Sequence, residues 1–228
     1  MKISSVFLLF YLLLGCSGDI ICDDNPEQKV LQKNNVKIRK GFVYTQGKDS
    51  LSQLQSVEYF DERGSVKMFR HYRMNSVSRK KVYEYDEQGR QIEVKDSISG
   101  NYRIFEYGNT CDATKSIQHS YRGEVIGFIE YKDSAGYRIF NHYDADNVLQ
   151  KFSINKLDQY GNPVVIEGYN FDYKYDENGL LVQEIRTYGG RTNTTRVVRD
   201  ENDLILKRLF YLNGEEIGGI YYTYEYYK

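Results

Sequence analysis

Between residues 82 and 94 the chain reads VYEYDEQGRQIEV, with Tyr83 and Tyr85 alternating against polar neighbours, a polar break, and then Ile92 and Val94 alternating again. Alternation with a period of two marks a half-buried strand, so the stretch predicts a strand, a tight turn at Asp86 to Gly89, and a returning strand. The pattern recurs at residues 173–179, YKYDENG, and in looser form through residues 36–44, 51–60, 66–72, 102–107, 117–121, 125–131, 137–143, 148–154, 180–188, 194–199, 204–212 and 220–227. No long stretch places apolar residues at helical spacing. The expected fold class is therefore all-β, an antiparallel hairpin-repeat sheet forming an open or spiralling meander over residues 35–228.

The breaks have their own chemistry. Asp61 and Gly64, Asp86 and Gly89, Asp133 and Gly136, Asp158 and Gly161, and Asp176 and Gly179 each read Asp-x-x-Gly. An Asp at the first turn position can accept a backbone N–H two residues on, and Gly at the fourth tolerates positive φ. With Asp200, the turn aspartates lie 25, 47, 25, 18 and 24 positions apart, the 47 spanning an imperfect copy near Gly108. A period near 24 equals two strands and two turns, the mark of a hairpin array. Asn stands for Gly in the turn at Asp144 to Asn147, and Asn213-Gly214 is a hairpin turn by composition.

Composition sharpens this picture. The 228 residues include 23 tyrosines, no tryptophan and only 2 prolines. Tyrosine suits a pleated surface that is dry on the ring and wet at the hydroxyl, and few prolines suit long ladders. Thirty-one Lys and Arg balance 32 Asp and Glu, so no basic face for nucleic acid is expected.

At the N-terminus, Lys2 precedes an apolar run over residues 3–14, too short to span a bilayer and of signal-peptide length. It ends Leu13-Leu14-Gly15-Cys16, which resembles the lipobox of bacterial lipoproteins. The resemblance implies a signal peptide over residues 1–15, lipid on Cys16, a polar tether over residues 16–34, and an outer-membrane lipoprotein facing the periplasm or the cell surface. Each buried methylene of such an anchor contributes about 0.8 kcal/mol. Asp19, Asp23 and Asp24 resemble the export signal of surface lipoproteins in Bacteroidota, or serve as a solvated acidic tether. In an oxidising compartment, Cys22 and Cys111 are candidates for one disulfide or for two free thiols. Their distance apart does not suit a zinc site.

Residues 83–90, YEYDEQGR, resemble the YD repeat of RHS-type proteins, and residues 173–179 and 59–64 carry the pattern again. The resemblance implies a spiralling or open antiparallel sheet. RHS shells enclose a toxic C-terminal domain, and this chain has too few units, and no separate C-terminal domain, for that role. Residues 213–222, NGEEIGGIYY, also resemble MORN-like repeats.

His71, His119 and His142 sit singly in strand-like stretches without metal-ligand spacing, and no motif for a hydrolase, a phosphate loop or a dinucleotide fold occurs. Acidic pairs read as turn caps and cross-strand ion pairs, and the Asp-rich turns lack the closing Glu of a calcium loop. No metal and no cofactor are expected. The tyrosine stripes read as cross-strand packing or as a platform for sugars or peptides. Tyr221, Tyr222, Tyr224, Tyr226 and Tyr227 are the candidate exposed rings, on a last strand that would otherwise be an edge. Ser50, Ser97 and Ser134 follow Asp at expected turns, resembling O-glycosylation sites of exported Bacteroidota proteins. The expectation is a non-enzymatic envelope protein that binds a glycan, peptide or partner protein, with an immunity-type or toxin-associated lipoprotein and a carboxylate hydrolase as alternatives.

Overall fold

The computed structural model describes residues 25–47, 52–166 and 168–228. A short helix, α1 (Pro26–Lys33), precedes two arms of strands. The first arm is β1 (Val36–Thr45), β2 (Gln53–Phe60), β3 (Val66–Arg73), β4 (Ser76–Tyr85), β5 (Gln91–Asp96), β6 (Tyr102–Tyr107), β7 (Ala113–His119), β8 (Val125–Ser134), β9 (Tyr137–Asp144) and β10 (Leu149–Lys156). The second is β11 (Val165–Ile166), β12 (Tyr169–Tyr175), β13 (Leu181–Tyr188), β14 (Arg191–Arg199), β15 (Ile205–Leu212) and β16 (Glu215–Tyr226).

These strands form one antiparallel 16-stranded sheet. Each arm is a meander, and the arms join where β16 pairs with β1, from Val36 opposite Tyr226 to Thr45 opposite Gly218. The sheet curls until its free edges, β10 and β11, approach each other. A single bridge between Leu157 and Pro163 and a bond from the Val164 N–H to the Lys156 carbonyl, 2.8 Å, close that seam at one end. The expected open or spiralling meander is therefore a nearly closed barrel whose seam lies in mid-chain.

Because strands alternate in direction, the turns fall on two rims. The turns after the even-numbered strands β2 to β14 share one rim, and these carry the 24-residue Asp period. At Asp61, Asp86, Asp158, Asp176 and Asp200, one carboxylate oxygen accepts the N–H groups of the second and fourth residues onward at 2.8–3.0 Å. Gly64, Gly89, Gly161 and Gly179 take positive φ at the fourth position, and Asp203 replaces Gly there with φ 66°. On the far rim Ser120 plays the Asp part, its hydroxyl accepting from Arg122 and Glu124.

Asp133-x-x-Gly136 is not a turn of this kind. The turn is the pair Ala135-Gly136, with φ of 48° and 81°, the positive φ at both positions that a two-residue type I′ hairpin turn requires. Asp133 is consequently a ladder residue of β8, opposite Arg138.

Residues 26–33 correct the expected tether. Asn25 caps α1 by accepting from the N–H groups of Glu27 and Gln28, and Pro26 sits in the first turn, where a missing N–H costs nothing. With only Val30 and Leu31 buried in eight residues, the helix is too short to display a period. It lies across the Asp-turn rim: Gln28 donates to Ser65 Oγ and Asn34 to the Asn202 carbonyl. Val30 and Leu31 pack with Val36, Phe60, Leu180 and Leu204 in the buried cluster. Leu180 and Leu204 each directly follow the fourth turn position, so the repeat delivers an apolar residue beneath the helix.

β16 is not an edge. It runs between β1 and β15, and at Gly218 and Gly219 a Cβ would lie 2.3 Å from the carbonyl oxygens of Tyr44 and Arg208 respectively.

Candidate binding cleft

The tyrosines explain the repeat. At the helix rim, consecutive strands without a connecting turn there are tied by a tyrosine hydroxyl. Tyr85 at the end of β4 donates to the Val66 carbonyl of β3 (3.0 Å), Tyr107 of β6 to Gln91 of β5 (2.7 Å), and Tyr224 of β16 to Ile205 of β15 (2.7 Å). Tyr175 donates instead to Asp158 in the preceding turn, 2.6 Å. In Tyr-x-Tyr-Asp-x-x-Gly, Asp closes its own turn and the Tyr before it closes the gap to the previous one. Arg90 completes the unit, 2.7 Å from Asp86 and stacked 4.8 Å from the Tyr107 ring centre. Burial, first, and the surrounding charges push the Tyr85 hydroxyl up to about 12. Burial alone would raise the Asp86 carboxyl, but bonds and charge from Arg90 outweigh it and hold the carboxyl below its ordinary value.

Other rings pair directly across the ladder, as Phe42–Tyr221 (5.0 Å), Tyr102–His119 (4.7 Å), Phe128–Tyr143 (4.7 Å) and, edge to face, Tyr131–Phe140 (5.6 Å). Cross-strand pairing is thus the main use of the aromatic stripes.

One face of the sheet points inward. Arg39 on β1 and Arg199 on β14 both reach Glu27 of α1, at 3.1 and 2.9 Å, and Arg39 also meets Glu58 at 2.6 Å. β16 and β15 lie between those strands, and side chains that far apart converge only on the concave side. Arg39 packs its guanidinium 5.5 Å from the Phe60 and Tyr222 ring centres. Burial disfavours its charge, yet Glu58 and Glu27 more than compensate and raise its pKa. Ladder partners share a face, so Tyr224 opposite Arg39 and Tyr222 opposite Gly41 also turn inward.

Between α1 and the inner wall of β12–β15 lies a cleft of about 730 Å³, lined by Glu27, Tyr160, Tyr173, Tyr175, Glu184 and Arg208, among others. Tyr173 donates its hydroxyl to the Pro163 carbonyl and Tyr175 to Asp158. Those hydroxyls are engaged, and the rings are what remains for the cleft. Tyr160 packs against Tyr175 with centres 4.1 Å apart. Arg199 is held by Glu27 and by the Asp203 carbonyl at 2.7 Å. The Arg208 Nε is buried without an acceptor among the described residues.

The expected site residues disperse. Cys16, Cys22 and Ser50 lie outside the described residues. Cys111, in the irregular turn after β6, is disulfide-bonded. Ser97 is exposed in a far-rim turn, and Ser134 is exposed at the end of β8. Of the terminal tyrosines only Tyr226 is exposed, at 51%. Tyr221 stacks on Phe42 and donates to Ser52, while Tyr227 donates to the Phe60 carbonyl. They form no common platform, because alternate residues of an internal strand face opposite sides. The cleft residues carry no local signal, since they come from distant segments: Glu27 and Arg199, which meet there, are 172 positions apart.

These features define an all-β protein of repeated hairpins curled into a nearly closed barrel. Similar solved structures include a porin-like protein from Bacteroides uniformis, 12% identical with TM-score 0.39, the match covering 84% of this chain and 97% of that one. TcdB2-TccC3 is 12% identical with TM-score 0.34 over 81% of this chain, which spans 13% of that larger chain. Its complex with Cdc42 gives 11%, 0.32 and 79%, again over 13% of that chain. No family model matches the chain, and no curated protein matches it.

Proposed function

We propose that this chain is a lipid-anchored cell-envelope protein that binds a glycan, peptide or partner protein and performs no catalysis. The observation that carries the binding reading is the cleft under α1. Its volume of about 730 Å³ falls in the ordinary range of ligand pockets, and tyrosine faces line it. The turn carboxylates are held by backbone N–H groups, and Glu27 and Glu58 by arginines, which supports binding over hydrolysis. The address rests on the lipobox-like run ending at Cys16.

Glycan and peptide arrays probed with the detergent-extracted full chain test the binding reading. Retention on one ligand class, weakened by Tyr173→Ala in a folded protein, is the expected result. Turnover of any ligand that a single Asp or Glu substitution abolishes would overturn it. For the anchor, Cys16→Ser should move the protein from the membrane to the soluble fraction, and persistence in the membrane would refute lipidation.

A further inference from the structure

Arg208 on β15 sits opposite Val197 of β14 and Ile220 of β16 and lines the cleft. Among the described residues it has neither an ion pair nor a hydrogen bond, and its Nε is buried. The other cleft cation, Arg199, also has a buried Nε without a partner, but its terminal nitrogens are committed to Glu27 and to the Leu181 and Asp203 carbonyls. The inner cluster of Arg39, Arg199, Glu27 and Glu58 balances its own charge. Arg208 is therefore left as a guanidinium, partly removed from water, with no carboxylate of its own. Such a charge is costly unless an anion meets it, and its planar fork matches a carboxylate in two parallel bonds.

The rings fix the rest of the ligand. Tyr160, Tyr173 and Tyr175 line the same cleft, with Tyr173 and Tyr175 centres 6.4 Å apart. Their π faces suit the apolar C–H face of a pyranose. Glu184, opposite Tyr173 on the ladder, offers carboxylate oxygens that can accept from sugar hydroxyls and lies 3.6 Å from Arg186. A cation for a carboxylate, ring faces for a sugar face and a carboxylate for hydroxyls occur together in the described structure at this cleft.

We infer that the cleft receives an acidic saccharide, a uronic-acid unit whose carboxylate is forked by Arg208 and whose ring lies on the tyrosine faces. This inference rests on the binding reading above and narrows its ligand class. Calorimetric titration of the full chain with trigalacturonate, and with the neutral trisaccharide of galactose as its control, tests it. The acidic sugar should bind at least tenfold more tightly than the neutral one and weaken as salt is raised. Arg208→Met should erase that preference, and Glu184→Gln, which removes a repelling charge, should tighten the acidic sugar severalfold. Thermal melting of each variant checks that the fold survives, and Arg208→Lys, keeping the charge without the fork, should retain part of the preference. Equal affinity for the two sugars, or an unchanged preference in Arg208→Met, sinks this inference and leaves the broader binding reading standing. Binding of neither sugar sinks it too, while the arrays decide the broader reading on their own.

Discussion

The helix side and the seam side of this barrel are made from the same hairpin unit and held by different forces. On the helix side, α1, β1, β2 and the turns at Asp176 and Asp200 bury Val30, Leu31, Val36, Phe60, Leu180 and Leu204 together. On the seam side, β8–β10 contain no buried hydrophobic residue, and Val148, Leu149, Phe152 and Ile154 are all more than half or about half exposed. What holds β8–β10 is the ladder itself, the ring pairs Phe128–Tyr143 and Tyr131–Phe140, and Arg138 bridging Asp133 and Asp112 at 2.7 and 2.6 Å. A repeat can thus propagate by pairing across the ladder alone, but it acquires a core only where another element covers the rim.

That contrast can be broken most severely at Phe60. Phe60→Ala should cost about 3–5 kcal/mol, the usual range for emptying a packed aromatic site, read as a drop in the urea midpoint. Removing the carboxylate that two inner arginines share comes next. Glu27→Gln should cost about 2 kcal/mol, because it removes charge-assisted bonds to two arginines at a partly buried site while Arg39 keeps Glu58. Equal unfolding of wild type and Glu27→Gln would show that α1 does not clamp the arms.

The turn aspartates, and Asp133 on the ladder, sharpen the comparison through pH. Asp86 is held below its ordinary pKa, as is Asp133, mainly through the hydrogen bond from Arg138. At Asp158 burial works the other way, but bonds from Tyr175, Asn162 and Tyr160 prevail. A carboxyl whose folded pKa lies below its unfolded one adds stability above the unfolded value and loses it as pH falls through the folded value. The urea midpoint should therefore decline as pH drops below the ordinary carboxylate range, and Asp86→Asn should decline less. At neutral pH, Tyr85→Phe should cost about 1 kcal/mol, one hydrogen bond to a carbonyl. Smallest of all, Phe152→Ala on β10 should change stability by no more than about 0.5 kcal/mol, as exposed sites do. A large loss there would mean that the seam is covered by something.

Much of the wall is legible in the sequence. Alternation placed most strands, and Asp-x-x-Gly placed the turns, because both signals are local. Asp133 misled because the same letters fit a ladder position once Ala135-Gly136 took the turn. The helix was missed because two buried residues make no period, although Asn25-Pro26-Glu27 carries a cap signal. The role of β16 was missed because its partner β1 lies at the other end of the chain. For the same reason the cleft was invisible: Glu27, Tyr173 and Arg208 are neighbours only after the sheet curls.

The join between β1 and β16 has a bearing on how the protein is made. Lys40 and Glu225, ion-paired across it, are 185 positions apart, so β1 must wait for almost the whole chain to be synthesised before its second neighbour exists. Tyr224, which packs against the buried cluster, arrives just as late. Nascent chains stopped short of β16 should therefore leave α1 and β1 sensitive to protease, while β8–β10, held by their own ladder, gain protection earlier.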